Sequence, residues 1–206
     1  MDMKHTLRIL VMMWLAMWQF TSCAQTSQKK QIMNTKKILV AFFSRAGENY
    51  EVGYIEKGNT HILAEMIAAK TGGTLFHIEP VRPYPEDYTE CIKVAKTELH
   101  NQARPAVKGD VAVEDYDVIF IGYPNWWGDM PMAVYTFIER HGWKNKTVIP
   151  FCTHEGSGLS GTERKLQQAC QGATLLEGLA VRGSVAQNSP EQARKSVEHW
   201  LQKLKY

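Results

Sequence analysis

Two unbroken apolar runs constrain this chain more than anything else in it: Ile38-Leu39-Val40-Ala41-Phe42-Phe43 and Val118-Ile119-Phe120-Ile121-Gly122-Tyr123. A strand with one wet face alternates apolar and polar side chains, whereas a strand covered on both faces reads as continuous hydrophobicity. Both runs are of the second kind, so helices must cover both faces of the sheet they join. The stretches between them supply such helices. Thr60, read as an N-cap, precedes a face of Ile62, Leu63, Met66 and Ile67 that Gly72-Gly73 terminates. A strand at Thr74 to Ile78 follows. Pro80, Pro83 and Pro85 then break the chain before a helix from about Glu86 to Gln102.

Beyond the second run, Pro131 suits the first turn of a helix bearing Val134, Phe137 and Ile138. Lys146 to Cys152 reads as a strand and Gly161 to Cys170 as a helix. Leu175 to Val181 and Pro190 to Leu204 supply the last strand and helix. Five strands that alternate with helices can cover both faces only as a mostly parallel α/β sheet with right-handed crossovers. The expectation is therefore a three-layer α/β/α sandwich around a five-stranded parallel sheet. Ligands of such sheets lie beyond the carboxyl ends of the strands, where the segments after Phe43, Tyr123 and Cys152 should converge.

The domain is expected over residues 36–206, because the first 24 residues have a different character. Lys4 and Arg8 precede an apolar run from Ile9 to Phe20, which ends in Thr21, Ser22, Cys23 and Ala24. This is a signal-peptide layout, followed by a polar tether over residues 25–35. Cys23 resembles the acylated cysteine of a bacterial lipoprotein lipobox, which implies export and a membrane attachment through lipid alone. Two other readings share the same residues. Cleavage after Ala24 releases a periplasmic protein, and a true start at Met33 leaves the chain cytoplasmic.

Of the four cysteines, Cys91, Cys152 and Cys170 fall in the domain, an odd number without paired-ligand spacing. Neither a closed disulfide framework nor a zinc site is indicated. The net charge of +3 is scattered, with no basic run to track a nucleic-acid backbone.

Chemistry concentrates in three segments. The first is Ser44-Arg45-Ala46-Gly47, interrupted by an irregular Gly-containing excursion from Glu48 to Lys57 and resumed at Gly58-Asn59-Thr60. Hydroxyls, free amides and a helix start are what a phosphate monoester requires, and Ser44, Ala46, Asn59 and Thr60 can offer them. Arg45 can add charge or stay solvated. The second segment, Pro124-Asn125-Trp126-Trp127-Gly128, puts adjacent tryptophans where the sheet core has ended. At least one ring should cover something flat, while the other can pack beneath the loop. The third, Thr153-His154-Glu155-Gly156-Ser157-Gly158, is rich in donors and in glycine, so its backbone can approach a planar polar edge. His154 can donate to such an edge or serve the surface.

Together these segments resemble those of the flavodoxin family, in its compact bacterial branch, over roughly residues 36–206. The resemblance implies strand order 2-1-3-4-5 and bound flavin mononucleotide (FMN). It assigns Ser44, Arg45, Ala46, Asn59 and Thr60 to the phosphate, and Pro124–Gly128 and Thr153–Gly158 to the isoalloxazine ring. Asp129 and Glu155 would disfavour negative charge on a reduced ring if they lay close. The implied function is electron transfer or reduction of small acceptors such as quinones, with NAD(P)H- or quinone-linked oxidoreductase activity on the flavin itself. A non-catalytic one-electron carrier between protein partners is the alternative. The sequence pI near 8.6 speaks against acidic docking of the usual flavodoxin kind. A serine hydrolase using the Thr153–Gly161 loop is the remaining rival, although neither Ser157 nor Ser160 sits in a nucleophile elbow.

Overall fold

The computed structural model describes residues 36–206; the expected leader and tether, with Cys23 and Met33, lie outside the described residues. Along the chain come β1 (Ile38–Phe42), β2 (Gly47–Asn49), β3 (Gly53–Ile55), α1 (Asn59–Thr71), β4 (Thr74–His77), α2 (Tyr88–His100) and β5 (Val118–Pro124). They are followed by α3 (Met132–Glu139), β6 (Thr147–His154), α4 (Thr162–Ala169), β7 (Thr174–Leu175), β8 (Leu179–Arg182), α5 (Gly183–Asn188) and α6 (Pro190–Leu204).

The main sheet runs β4-β1-β5-β6, with β7 and β8 both on the far side of β6, and every pairing is parallel. This is the expected 2-1-3-4-5 order with the fifth strand cut in two. Pro150 is the cause. Val148 accepts the amide of Leu176, so the even positions of β6 face the last strand. Pro150 is the next of these and has no N–H to donate. The ladder stops there and resumes where Phe151 pairs with Leu179.

Alternation along the buried strands divides the core into two layers. Leu39, Ala41, Phe43, Ile119, Ile121 and Tyr123 pack with residues of α3 and α4 on one face. Val40, Phe42, Val118 and Phe120 pack with α1 and α6 on the other. Each of the valine, leucine, isoleucine and phenylalanine side chains among them contributes about 1.5–3 kcal/mol by leaving water, which makes this double-sided burial the main stabilising term.

Two local readings change. The Glu48–Lys57 excursion is not irregular: β2 and β3 form an antiparallel hairpin in which Gly47 pairs with Ile55 and Asn49 with Gly53. Thr60 does not cap α1 either. Gly58 holds the N-cap position, and the amide of His61 donates instead to Ser44 Oγ at 3.1 Å. The cap hydroxyl thus comes from the end of β1, and Thr60 is free to turn inward. The end of α1 is as expected, with Gly72 at φ 70° closing it.

Candidate functional site

The three strand-end segments meet at one rim of the sheet, around a cavity of about 370 Å³. Arg45, Asn59, Pro124, Asn125, Trp126, Trp127, Gly128, Thr153, His154, Glu155 and Ser157 line it. Ser44, Ala46, Thr60, Gly156 and Gly158 are not among the lining residues; Thr60 is buried, and Ala46 and Gly156 are exposed.

In the first segment, Gly58 is required by close approach. A Cβ there would fall 2.2 Å from Ser44 Oγ and 2.4 Å from the Arg45 carbonyl oxygen. The two halves of the segment, separated by the hairpin, are pressed together at this point. Thr60, buried, shares a 2.7 Å hydrogen bond with Thr153 Oγ1 and so ties the first segment to the third. The first-turn amides of α1, at Asn59 and Thr60, have no intrahelical acceptor. Asn59 Oδ1 is buried and has no hydrogen-bond partner among the described residues.

Arg45 departs from its assignment as a phosphate ligand. Its guanidinium donates to the carbonyls of Pro85 (3.0 and 2.8 Å), Glu48 (2.6 Å) and Glu86 (2.6 Å). A group with its donors committed in this way acts as a clamp between the hairpin and the loop before α2. One Nη1 proton and its backbone amide remain for a ligand.

The second segment is a tight turn. Trp126 N donates to Asp129 O at 2.9 Å and Asp129 N returns to Trp126 O at 3.1 Å. Trp127 and Gly128 occupy the central positions at φ 58° and 75°, the combination of a primed turn. Glycine accepts this region freely, whereas a bulky residue there carries strain of about 1 kcal/mol. Asn125 holds the turn: its Oδ1 accepts from Gly128 N at 3.0 Å. Its Nδ2 donates to Gly158 O and Ser160 Oγ, both at 2.9 Å.

The two tryptophans divide the roles expected of the pair. Trp126 meets Phe43 and Tyr84 edge to face, at 5.3 and 5.0 Å between centroids, and anchors the turn to the core. Trp127 is 51% exposed, with Nε1 donating to Ile92 O at 3.1 Å.

Asp129 lies outside the cavity lining. It is buried and accepts from Met130 N at 2.8 Å, Tyr135 Oη at 2.8 Å and Lys165 Nζ at 2.5 Å. Its charge is answered there and does not bear on a ring in the cavity. Glu155 reaches the lining, yet its oxygens accept from Ser184 N at 2.6 Å and Ser184 Oγ at 2.9 Å. It serves chiefly as a carboxylate cap on α5.

His154 has a defined tautomer. Its Nδ1 accepts from Gly156 N at 2.8 Å, which leaves the proton on Nε2 as a donor at the cavity. Burial lowers its affinity for a second proton, against an opposing effect of Glu155. The imidazole is thus a neutral hydrogen-bond donor near pH 7. No hydrogen bond links His154 to Ser157 or Ser160, and Ser160 Oγ donates to Ser157 O at 3.0 Å, so the hydrolase arrangement is not formed.

The structure adds lining residues outside the three segments: Asn49 and Tyr50 from the hairpin, Tyr88, Cys91, Ile92 and Ala95 from α2, and Gly183 at the start of α5. Gly183 follows the last strand, so the carboxyl-end rule applied to β8 would have found it. The α2 residues recur at i, i+3, i+4 and i+7, a face visible in the sequence. Burial pushes the Cys91 thiol up, against a lowering by Arg45. It pushes Cys152 and Cys170 up to about 12, so none of the three is a ready thiolate.

The fold and this rim together define a doubly wound α/β protein with a ligand cavity at its topological switch. Comparison with known proteins gives that class a family. The family profile described as Flavodoxin matches residues 37–203, and this chain belongs to the flavodoxin family. Among solved structures, a protein from Bacteroides eggerthii DSM 20697 classed as a flavoprotein is 31% identical, with TM-score 0.65. The match covers 83% of this chain and 99% of that one. A protein of the same class from Bacteroides uniformis ATCC 8492 is 29% identical, with TM-score 0.63, and the match covers 79% and 98% of the two chains. A flavoprotein from Lactobacillus acidophilus NCFM, solved in complex with FMN, shares the fold at TM-score 0.57 and 18% identity, over 73% and 97% of the two chains. No curated protein matches the chain.

Proposed function

We propose that this chain binds FMN as its resident cofactor and passes electrons through it to small acceptors such as quinones. One observation carries the reading: Asn59 Oδ1 is buried without a donor, beside the free first-turn amides of α1 and in a cavity also lined by a strained, exposed tryptophan. An orphaned acceptor calls for a hydroxyl donor, free amides call for an anion, and a bared indole calls for a flat ring. A phosphorylated ribityl-isoalloxazine offers all three at once.

The residues present fit the group. The Asn59 and Thr60 amides and the backbone of Arg45 and Ala46 would hold the phosphate, and Asn59 would accept from the ribityl chain. Gly183 makes room for the Asn59 amide, since a Cβ there would fall 2.1 Å from Asn59 Nδ2. Trp127 would cover the ring, and His154 Nε2–H would donate to its polar edge. FMN, when bound, supplies one- and two-electron chemistry; the chain's own work is to orient it, shield it and place a neutral donor beside it.

Membership of the flavodoxin family and the FMN-bound relative of the same fold support this reading. The purified protein should show flavin absorption bands, bleach on dithionite titration, and prefer FMN over riboflavin. A colourless protein that ignores added FMN would overturn the proposal. The leader supports export as a lipoprotein through Cys23, and Cys23→Ala should abolish labelling by a fatty-acid probe. Undiminished labelling would return the chain to one of the other two starts.

A further inference from the structure

The strand-end segments do not enclose the cavity alone: the hairpin and α2 add an aromatic lining that meets them at Trp127. Tyr88, Cys91, Ile92 and Ala95 share one face of α2, and that face lines the cavity. The hairpin adds Tyr50, whose ring stands 6.1 Å from that of Tyr88 with 28° between the planes. Trp127 extends the row one turn along α2, through its bond to Ile92 O. The Lys96 ammonium braces it at 5.0 Å from the ring centroid.

These rings are anchored and yet bare. Tyr50 is 57% exposed and Trp127 51%, although large aromatic side chains ordinarily bury most of their area. Tyr50 does not hang on a loose loop. Arg45 joins Glu48 to Pro85 and Glu86, and Glu48 N donates to Glu86 O at 2.9 Å, so the hairpin is fastened to the entry of α2. A ring held in place before its ligand arrives loses little entropy on binding. This surface presents flat apolar faces, and the guanidinium beside it has four of its five donors committed to backbone carbonyls. Such a surface selects a planar neutral ring system over a sugar or a phosphate.

Resting on the assignment of FMN to the strand-end segments, we infer that Tyr50 and Tyr88, bounded by Trp127, form a second binding site for a planar aromatic of the quinone class. The inserted hairpin is then the element that sets which acceptor is admitted, and Tyr50 is its specificity-determining residue.

The test uses the oxidised, FMN-loaded protein and the neutral 2-methyl-1,4-naphthoquinone, with quinone affinity read by titration calorimetry and FMN affinity by flavin fluorescence. In Tyr50→Ala the quinone Kd should rise about fivefold, the worth of one aromatic contact, while FMN affinity holds within about twofold. Tyr50→Phe should restore quinone binding, because the ring and not the hydroxyl is used. Unchanged quinone affinity in Tyr50→Ala overturns the inference. Equal losses of quinone and FMN also overturn it, since Tyr50 would then belong to the cofactor site. A chain that ignores FMN yet binds the quinone through Tyr50 sinks the cofactor reading and leaves the aromatic site standing.

Discussion

The two walls of the cavity are built on opposite principles. The strand-end wall is backbone-rich and tightly pressed: Gly58 leaves no room for a methyl group, Thr60 is locked to Thr153, and Asn125 fastens one loop to the next. The wall from the hairpin and α2 is made of side chains whose faces stay open, held by bonds at their bases, as Arg45 and the Trp127 indole N–H show. A rigid inner wall suits a ligand that stays, and an open aromatic wall suits one that comes and goes. Trp126 and Trp127, neighbours in sequence, straddle the boundary, one packed into the core and the other presented to the cavity.

The sharpest way to break this contrast is to strike the inner wall where it is tightest. Gly58→Ala should destabilise the domain by about 3 kcal/mol in denaturant titration and lower FMN affinity more than tenfold, because backbone must move to admit the methyl. A variant with native stability and affinity would show the inner wall to be softer than described. Arg45→Met should cost less, about 2 kcal/mol, since it strips donors from partly exposed carbonyls. Its effect should concentrate in the hairpin, measured as faster proteolysis within residues 47–55, with FMN affinity near that of the parent. A larger loss of FMN than of hairpin protection would restore the guanidinium as a phosphate ligand.

Trp127→Asn should go the other way. Asparagine tolerates positive φ, so relief of strain should raise stability by about 1 kcal/mol and Tm by about 3 °C, while binding at the cavity weakens. An unchanged or lower Tm would mean the indole is there for packing. The smallest expected effect is on pH. Burial holds the imidazoles of His61 and His154 below their ordinary value of 6.5, so the unfolded chain takes up protons first as pH falls. The stability they contribute is whole above 6.5 and is lost as pH drops through the lowered folded values. Thermal unfolding should therefore fall between pH 7 and pH 5.5, and His154→Gln should flatten that slope; an identical slope would remove His154 from the account.

Much of the fold is legible in the sequence, because burial on both faces leaves an unmistakable continuous run, as at Val118–Tyr123. The helix over Pro190–Leu204 and the Gly72 stop follow from equally local chemistry. The hairpin was not legible: Gly47-Glu48-Asn49 and Gly53-Tyr54-Ile55 are too short to show alternation. What holds them is Arg45 reaching carbonyls of Pro85 and Glu86, 40 and 41 positions away. Thr60 misled for the same reason, since its capping task is met by Ser44 from 17 positions away. In the candidate site, the segments at strand ends could be read in advance, whereas Tyr50 and Tyr88, 38 positions apart, become neighbours only through folding. The clamp role of Arg45 was hidden because a charged residue in a Gly-rich loop looks the same whether its acceptors are phosphate oxygens or peptide carbonyls.

Pro150 has an effect beyond its own strand. By dividing the last strand into β7 and β8, of two and four residues, it leaves that border of the sheet without a long row of free amides and carbonyls. A continuous border of that kind recruits strands from other molecules and seeds aggregates. One missing hydrogen-bond donor in the interior thus guards the rim of the sheet against self-association.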